Sequence, residues 1–182
     1  LDAITTGDNN VAIGYNALTT NTSGISNTAV GYDALTANTT GNNNVSIGKQ
    51  TLIANTTGSQ NVTVGYRTML DNTTGVGNTA IGSSSLQENT TGSYNLAAGN
   101  GAIGGANTGD YNVGLGSYTL DANTSGSNNI AVGQHSLGTN TTGANNTAIG
   151  YNSLFANTTA SKNSAFGYHA MYNNTTGHHN NA

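Results

Sequence analysis

One short sentence is written again and again along this chain. "NNTAIGYNSLFANTTA" at 145–160 is a near-copy of "SNTAVGYDALTANTTG" at 26–41. The glycine after each small apolar triplet falls at Gly14, Gly31, Gly48, Gly65, Gly82, Gly99, Gly116, Gly133, Gly150 and Gly167, always 17 residues apart. With Asn10 as position 1, the pattern is N-[VT]-A-[IV]-G-Y-x-[AS]-L-x-x-N-T-T-G-x-x. A strict period with no insertion demands a unit that stacks on copies of itself. The chain reads as a single repeat domain, 1–182, with ten full units over 10–179 and partial units at both ends. Because Leu1 falls at position 9, in mid-repeat, the expectation is a piece of a longer fibre.

Each unit has a legible local grammar. Positions 2–4 alternate large, small, large, as in Val11-Ala12-Ile13 and Val62-Thr63-Val64, which is a short strand. Glycine and Asn-Thr-Thr clusters interrupt any helical period. Positions 7–9 read as a second extended piece ending in Leu, Met or Ile. Positions 12–15 read as a turn closed by Gly24, Gly41, Gly58, Gly75, Gly92, Gly109, Gly126, Gly143 and Gly177, with Ala160 in the one odd unit. If these turn glycines adopt positive φ, Ala160 is strained. Two short strands and two bends per period describe an all-β chain, a parallel β-solenoid or β-roll of 17-residue coils. At about 4.8 Å per coil, the rod is on the order of 50 Å long.

Stacking places residue n over residue n+17. Position 1 is always Asn: Asn10, Asn27, Asn44, Asn61, Asn78, Asn95, Asn112, Asn129, Asn146 and Asn163, then Asn180. An amide both donates and accepts, so a column of stacked Asn forms a structural ladder. Position 12 is a second Asn column, interrupted at Ile4 and Ala106. Tyr15 stacks on Tyr32 and Tyr151 on Tyr168. Positions 7, 10, 11, 16 and 17 vary and read as solvent-facing bends. Residues 95–111 depart most, with Ala98, Ile103 and Gly104-Gly105 in place of the consensus, and predict a thinner coil. Sizeable apolar side chains occur only at positions 2, 4 and 9, a small supply for 17 ordered residues. A homo-oligomer is therefore expected, with one apolar set inside each coil and the other against partner chains.

Composition narrows the chemistry. Only 5% of residues are charged, against about 25% in a typical domain. Three cations, Lys49, Arg67 and Lys162, within a net charge of −4 argue against a nucleic-acid partner. No apolar run is long enough for membrane contact by a spanning helix, and without Cys there is no thiol chemistry. Asp71 and Glu88 share position 11 in adjacent coils, a carboxylate pair that reads as two solvated acids. His135 and His169 share position 7, and His178-His179 lie near the end; these read as scattered surface histidines. No catalytic, cofactor or metal site is expected, and the chain does not read as an enzyme. Nine N-T-[ST] triplets, at Asn21, Asn38, Asn55, Asn72, Asn89, Asn123, Asn140, Asn157 and Asn174, match the glycosylation sequon but read as turn residues. Thr columns at positions 13 and 14 offer ice binding as an alternative function.

The "NTAVGYDAL", "NVSIGKQTL" and "NNTAIGYNSL" stretches resemble the N-x-[VA]-x-[IV]-G repeats of YadA-like trimeric autotransporter adhesin heads, and related repeats in phage and virus tail fibres. The resemblance covers essentially the whole chain. Its departure is the period, which is longer here by an added "NTT" turn. It implies a left-handed, trimeric β-roll on an extracellular, cell-surface or virion-surface fibre. The implied partners are two further copies of the chain and a host-surface or matrix ligand, with a tail-fibre shaft as the alternative.

Overall fold

The computed structural model describes residues 7–182. Ten three-residue strands, β1 (Val11–Ile13) to β10 (Ser164–Phe166), form one parallel sheet in chain order. Register is fixed by the repeat: Val11 pairs with Thr28, and Thr147 with Ser164. Between strands the chain runs once around the coil and returns one level up, giving a β-solenoid with no helix among the described residues. The Ile4 interruption of the second Asn column lies outside the described residues.

A three-residue strand turns its middle side chain to one face and the flanking two to the other. The middle positions, such as Ala29, Ser46, Thr63 and Ala80, are fully buried inside the coil. Val62 and Val64, on either side of Thr63, are each 37% exposed, and Ile13 is 60% exposed. Positions 2 and 4 thus face outward, and the interior keeps only position 9 as a large apolar filler, from Leu18 to Leu154.

Positions 7–9 are not a second strand, contrary to the expectation from sequence. They form a tight bend with left-handed residues at positions 7 and 9: Asp33 has φ +53° and Leu35 φ +52°. The reason is geometric. In a strand, neighbouring residues point opposite ways, but here Ala34 and Leu35 are both buried. The left-handed bend turns two consecutive side chains inward. Each left-handed residue costs about 1–2 kcal/mol, and burying the leucine returns about 2 kcal/mol of that. Ile103 takes the same conformation at φ +50°, where a β-branched side chain is least comfortable. Gly114, in the strand of the next coil, makes room for it: a Cβ there would lie 2.9 Å from Ile103 Cγ1.

The left-handed glycines are also elsewhere than expected. Ten of them sit at position 5, as at Gly31 with φ +141°, and Gly77 and Gly101 fall at positions 17 and 7, whereas none of the described position-15 glycines has positive φ. In coil 95–111 the second Asn column is not broken at Ala106. Asn107 takes the empty place by a one-residue slip, donating to Asn89 Oδ1 at 2.9 Å and accepting from Asn123 Nδ2 at 2.7 Å. The longer bend before Asn107 is offset by a turn one residue shorter after it.

Candidate functional site

Two features distinguish this rod chemically: a hydrogen-bonded clamp inside each coil and an apolar sheet face outside it.

The clamp joins the two Asn columns through one carbonyl. In the coil ending at Gly41, the Gly41 carbonyl accepts Asn27 Nδ2 at 2.8 Å and Asn38 Nδ2 at 3.0 Å. The same pairing recurs at Gly92, with Asn78 and Asn89, and at Gly126, with Asn112 and Asn123. Each clamp also bonds to its neighbours. Asn27 Oδ1 accepts the backbone N–H of Asn44 at 2.9 Å, and Asn21 Oδ1 accepts Asn38 Nδ2 at 2.7 Å. These amides are buried, so every bond replaces one lost to water.

The clamp explains position 15 better than turn geometry does. A Cβ on Gly41 would lie 2.3 Å from the Gly58 carbonyl and 2.4 Å from Asn38 Oδ1. Glycine is there for space. Ala160 breaks the rule, and the damage appears one coil up. The Ala160 carbonyl still holds Asn146 and Asn157. Above it, Gly177 receives Asn174 alone, Asn174 reaches Asn157 Oδ1 only at 3.4 Å, and Asn163 Nδ2 has no partner among the described residues. By the geometry at Gly41, whose Cβ would meet the Gly58 carbonyl, the Ala160 methyl is directed at the Gly177 carbonyl, which fits its loss of Asn163.

The nine sequon asparagines are the second arm of these clamps. Apart from Asn174, which is half-buried, their side chains are wholly enclosed, so the folded coil does not present them for modification. Position-13 threonine hydroxyls are also engaged: Thr39 Oγ1 donates to the Thr56 carbonyl at 3.0 Å.

The outer face of the sheet carries Val45, Val62 and Ile130 at position 2, where Thr28, Thr79, Thr147 and Ser164 interrupt the apolar run, and Ile47, Val64, Ile81 and Ile149 at position 4. No residue at either position is charged. Position 6 flanks it, with tyrosine at five levels (Tyr15, Tyr32, Tyr66, Tyr151 and Tyr168), and there Lys49 Nζ lies 5.6 Å from the Tyr32 ring and 6.0 Å from Tyr66. Asp71 and Glu88 are exposed on the bend. His135 stacks on Tyr118 at 5.4 Å, His169 lies against Tyr168 at 4.1 Å, and His178 Nδ1 accepts the Ser161 N–H at 3.0 Å. Asp121 fills the space beside Gly104, where desolvation pushes its carboxyl up while His135 opposes the shift. No group of three or more potential metal ligands occurs among the described residues. The chain matches no family model, no curated protein and no solved structure.

Sequence reasoning identified both Asn columns but not the carbonyl that unites them. The available signal was the constant three-residue step from position 12 to position 15, which suits an amide bonding back to its own turn.

Two substitutions probe the clamp. Asn95→Leu removes the acceptor for the Asn112 N–H and a donor to the Gly109 carbonyl. At about 1–3 kcal/mol per orphaned buried group, it should cost several kcal/mol, whereas Thr74→Ala on the exposed turn should be near neutral; denaturant midpoints compare them. Ala160→Gly should let Asn163 regain the Gly177 carbonyl. After the entropy cost of glycine, the net gain should be about 1 kcal/mol, read from the same midpoints, and a loss would contradict the steric account.

Proposed function

We propose that this chain is a structural and interaction segment of an extracellular fibre, an adhesin-like head or shaft in which three copies pack side by side. The observation that carries the reading is the outward sheet face. Position 4 forms a continuous apolar column along β1 to β10, from Ile13 to Phe166, on the order of 50 Å long, and position 2 adds Val, Leu or Ile in six of the ten strands, with Thr28, Thr79, Thr147 and Ser164 in the other four. Soluble monomers rarely leave so extended an apolar surface in water. A second copy suits it because identical rods share one coil spacing, so side chains that interdigitate at one level do so at every level. Trimeric packing and a left-handed coil are what the resemblance to YadA-like heads implies. The function then follows from form: mechanical extension, with the variable bends presented repeatedly to a host surface or matrix.

Molar mass by light scattering tests the assembly. The chain should elute at three times its 18.2 kDa mass. Ile81→Lys combined with Val64→Lys should reduce this toward the single-chain mass while the β-type circular dichroism persists, because both side chains point away from the coil interior. A wild-type monomer would overturn the proposal.

A further inference from the structure

Six of the nine tyrosines form three pairs, each joining adjacent coils. Tyr15 and Tyr32 have ring centroids 5.3 Å apart at 15°, Tyr94 and Tyr111 5.1 Å at 8°, and Tyr151 and Tyr168 5.5 Å at 11°. All six rings are exposed, from 41% at Tyr151 to 75% at Tyr168. The remaining three have other neighbours: Tyr66 lies beside Lys49, Tyr118 stacks on His135, and Tyr172 stacks on Phe155. We propose that the three pairs are oxidative cross-linking sites, converted to dityrosine staples between neighbouring coils by a peroxide-driven one-electron oxidant.

The chemistry balances. Each phenol of a pair gives up one electron and one proton, and the two phenoxyl radicals join through a carbon–carbon bond between ring positions ortho to oxygen. The hydrogens on those carbons move to the phenolic oxygens as the rings regain aromaticity. The two hydrogens lost reduce one peroxide to two waters. Coupling normally waits for two radicals to meet. Here the backbone ladder holds the rings in contact, so the encounter is intramolecular. Exposure admits the oxidant and leaves the rings free to twist into the biaryl geometry. The Tyr94–Tyr111 staple would bridge the coil containing Gly104-Gly105, closing a loop across that segment. The inference does not depend on the trimer, because each staple lies within one chain.

The test treats the full chain with peroxidase and hydrogen peroxide, using an equal mixture of isotopically labelled and unlabelled protein. Peptide mapping should find Tyr15–Tyr32, Tyr94–Tyr111 and Tyr151–Tyr168 linkages, each lacking two hydrogens and each free of mixed-isotope species. Yields at these pairs should exceed those involving Tyr66, Tyr118 or Tyr172 several-fold. Tyr111→Phe keeps an aromatic ring in the stack but removes a phenol, and should abolish the Tyr94 linkage while leaving the other two. Cross-links that are absent, wholly interchain, or as frequent at the three unpaired tyrosines would overturn the proposal.

Discussion

Everything in this rod depends on one carbonyl per coil that accepts two asparagine amides. The oxygen of Gly58, for example, holds Asn44 at 2.9 Å and Asn55 at 3.0 Å. That oxygen stitches the beginning of a coil to its closing turn, while the Asn side chains bond upward and downward to their copies. A coil can satisfy its interior only if the coils above and below carry the same residues in the same places. This is why the sequence repeats, and why substitution inside it is confined to Ala, Gly, Ser or Thr at positions 3 and 8 and to Leu, Met or Ile at position 9. Buried amides left without partners cost more than their bonds contribute when made, so the ladder enforces uniformity as much as it supplies stability.

The same constraint shapes the two faces of the wall. With two asparagines, a glycine and small residues at positions 3 and 8 inside, a coil is too narrow to enclose both a leucine and the strand's flanking valines or isoleucines. Leucine takes the interior, at the expense of a left-handed backbone at Leu52, Leu86 and Leu137. The branched residues turn outward, where their affinity for apolar surroundings becomes a driving force for association. The proposed lateral assembly would follow from this interior economy: what the coil cannot bury in itself is left on its outer face.

Much of this was legible in the sequence, because stacking converts a linear period into a column. Asn10, Asn27 and Asn44 recur at a fixed interval, and a strand pattern such as Val62-Thr63-Val64 is readable in isolation. The bend at positions 7–9 was not readable. Leucine strongly suggests an extended or helical backbone, and only tertiary packing makes a left-handed leucine worthwhile. Position 15 misled for a related reason. Glycine after Asn-Thr-Thr invites a conformational explanation, whereas the requirement at Gly41 is room for a carbonyl and an amide from other parts of the chain. At Ala106 a rigid count of 17 concealed a compensated slip, visible only when Asn107 is seen bonding to Asn89 and Asn123. In each case the decisive contact was between coils.

Side-chain amide hydrogen exchange, followed by NMR after transfer to deuterated water, addresses the clamp most directly. The Nδ2 protons of Asn61, Asn72, Asn78 and Asn89 donate within the buried ladder. They should persist far longer than those of exposed Asn145, and the unpartnered Asn163 should be the least protected of the buried amides in its column. Exchange of the ladder amides at the rate of Asn145 would mean that solvent reaches them, and the clamp could not be what holds the coils together.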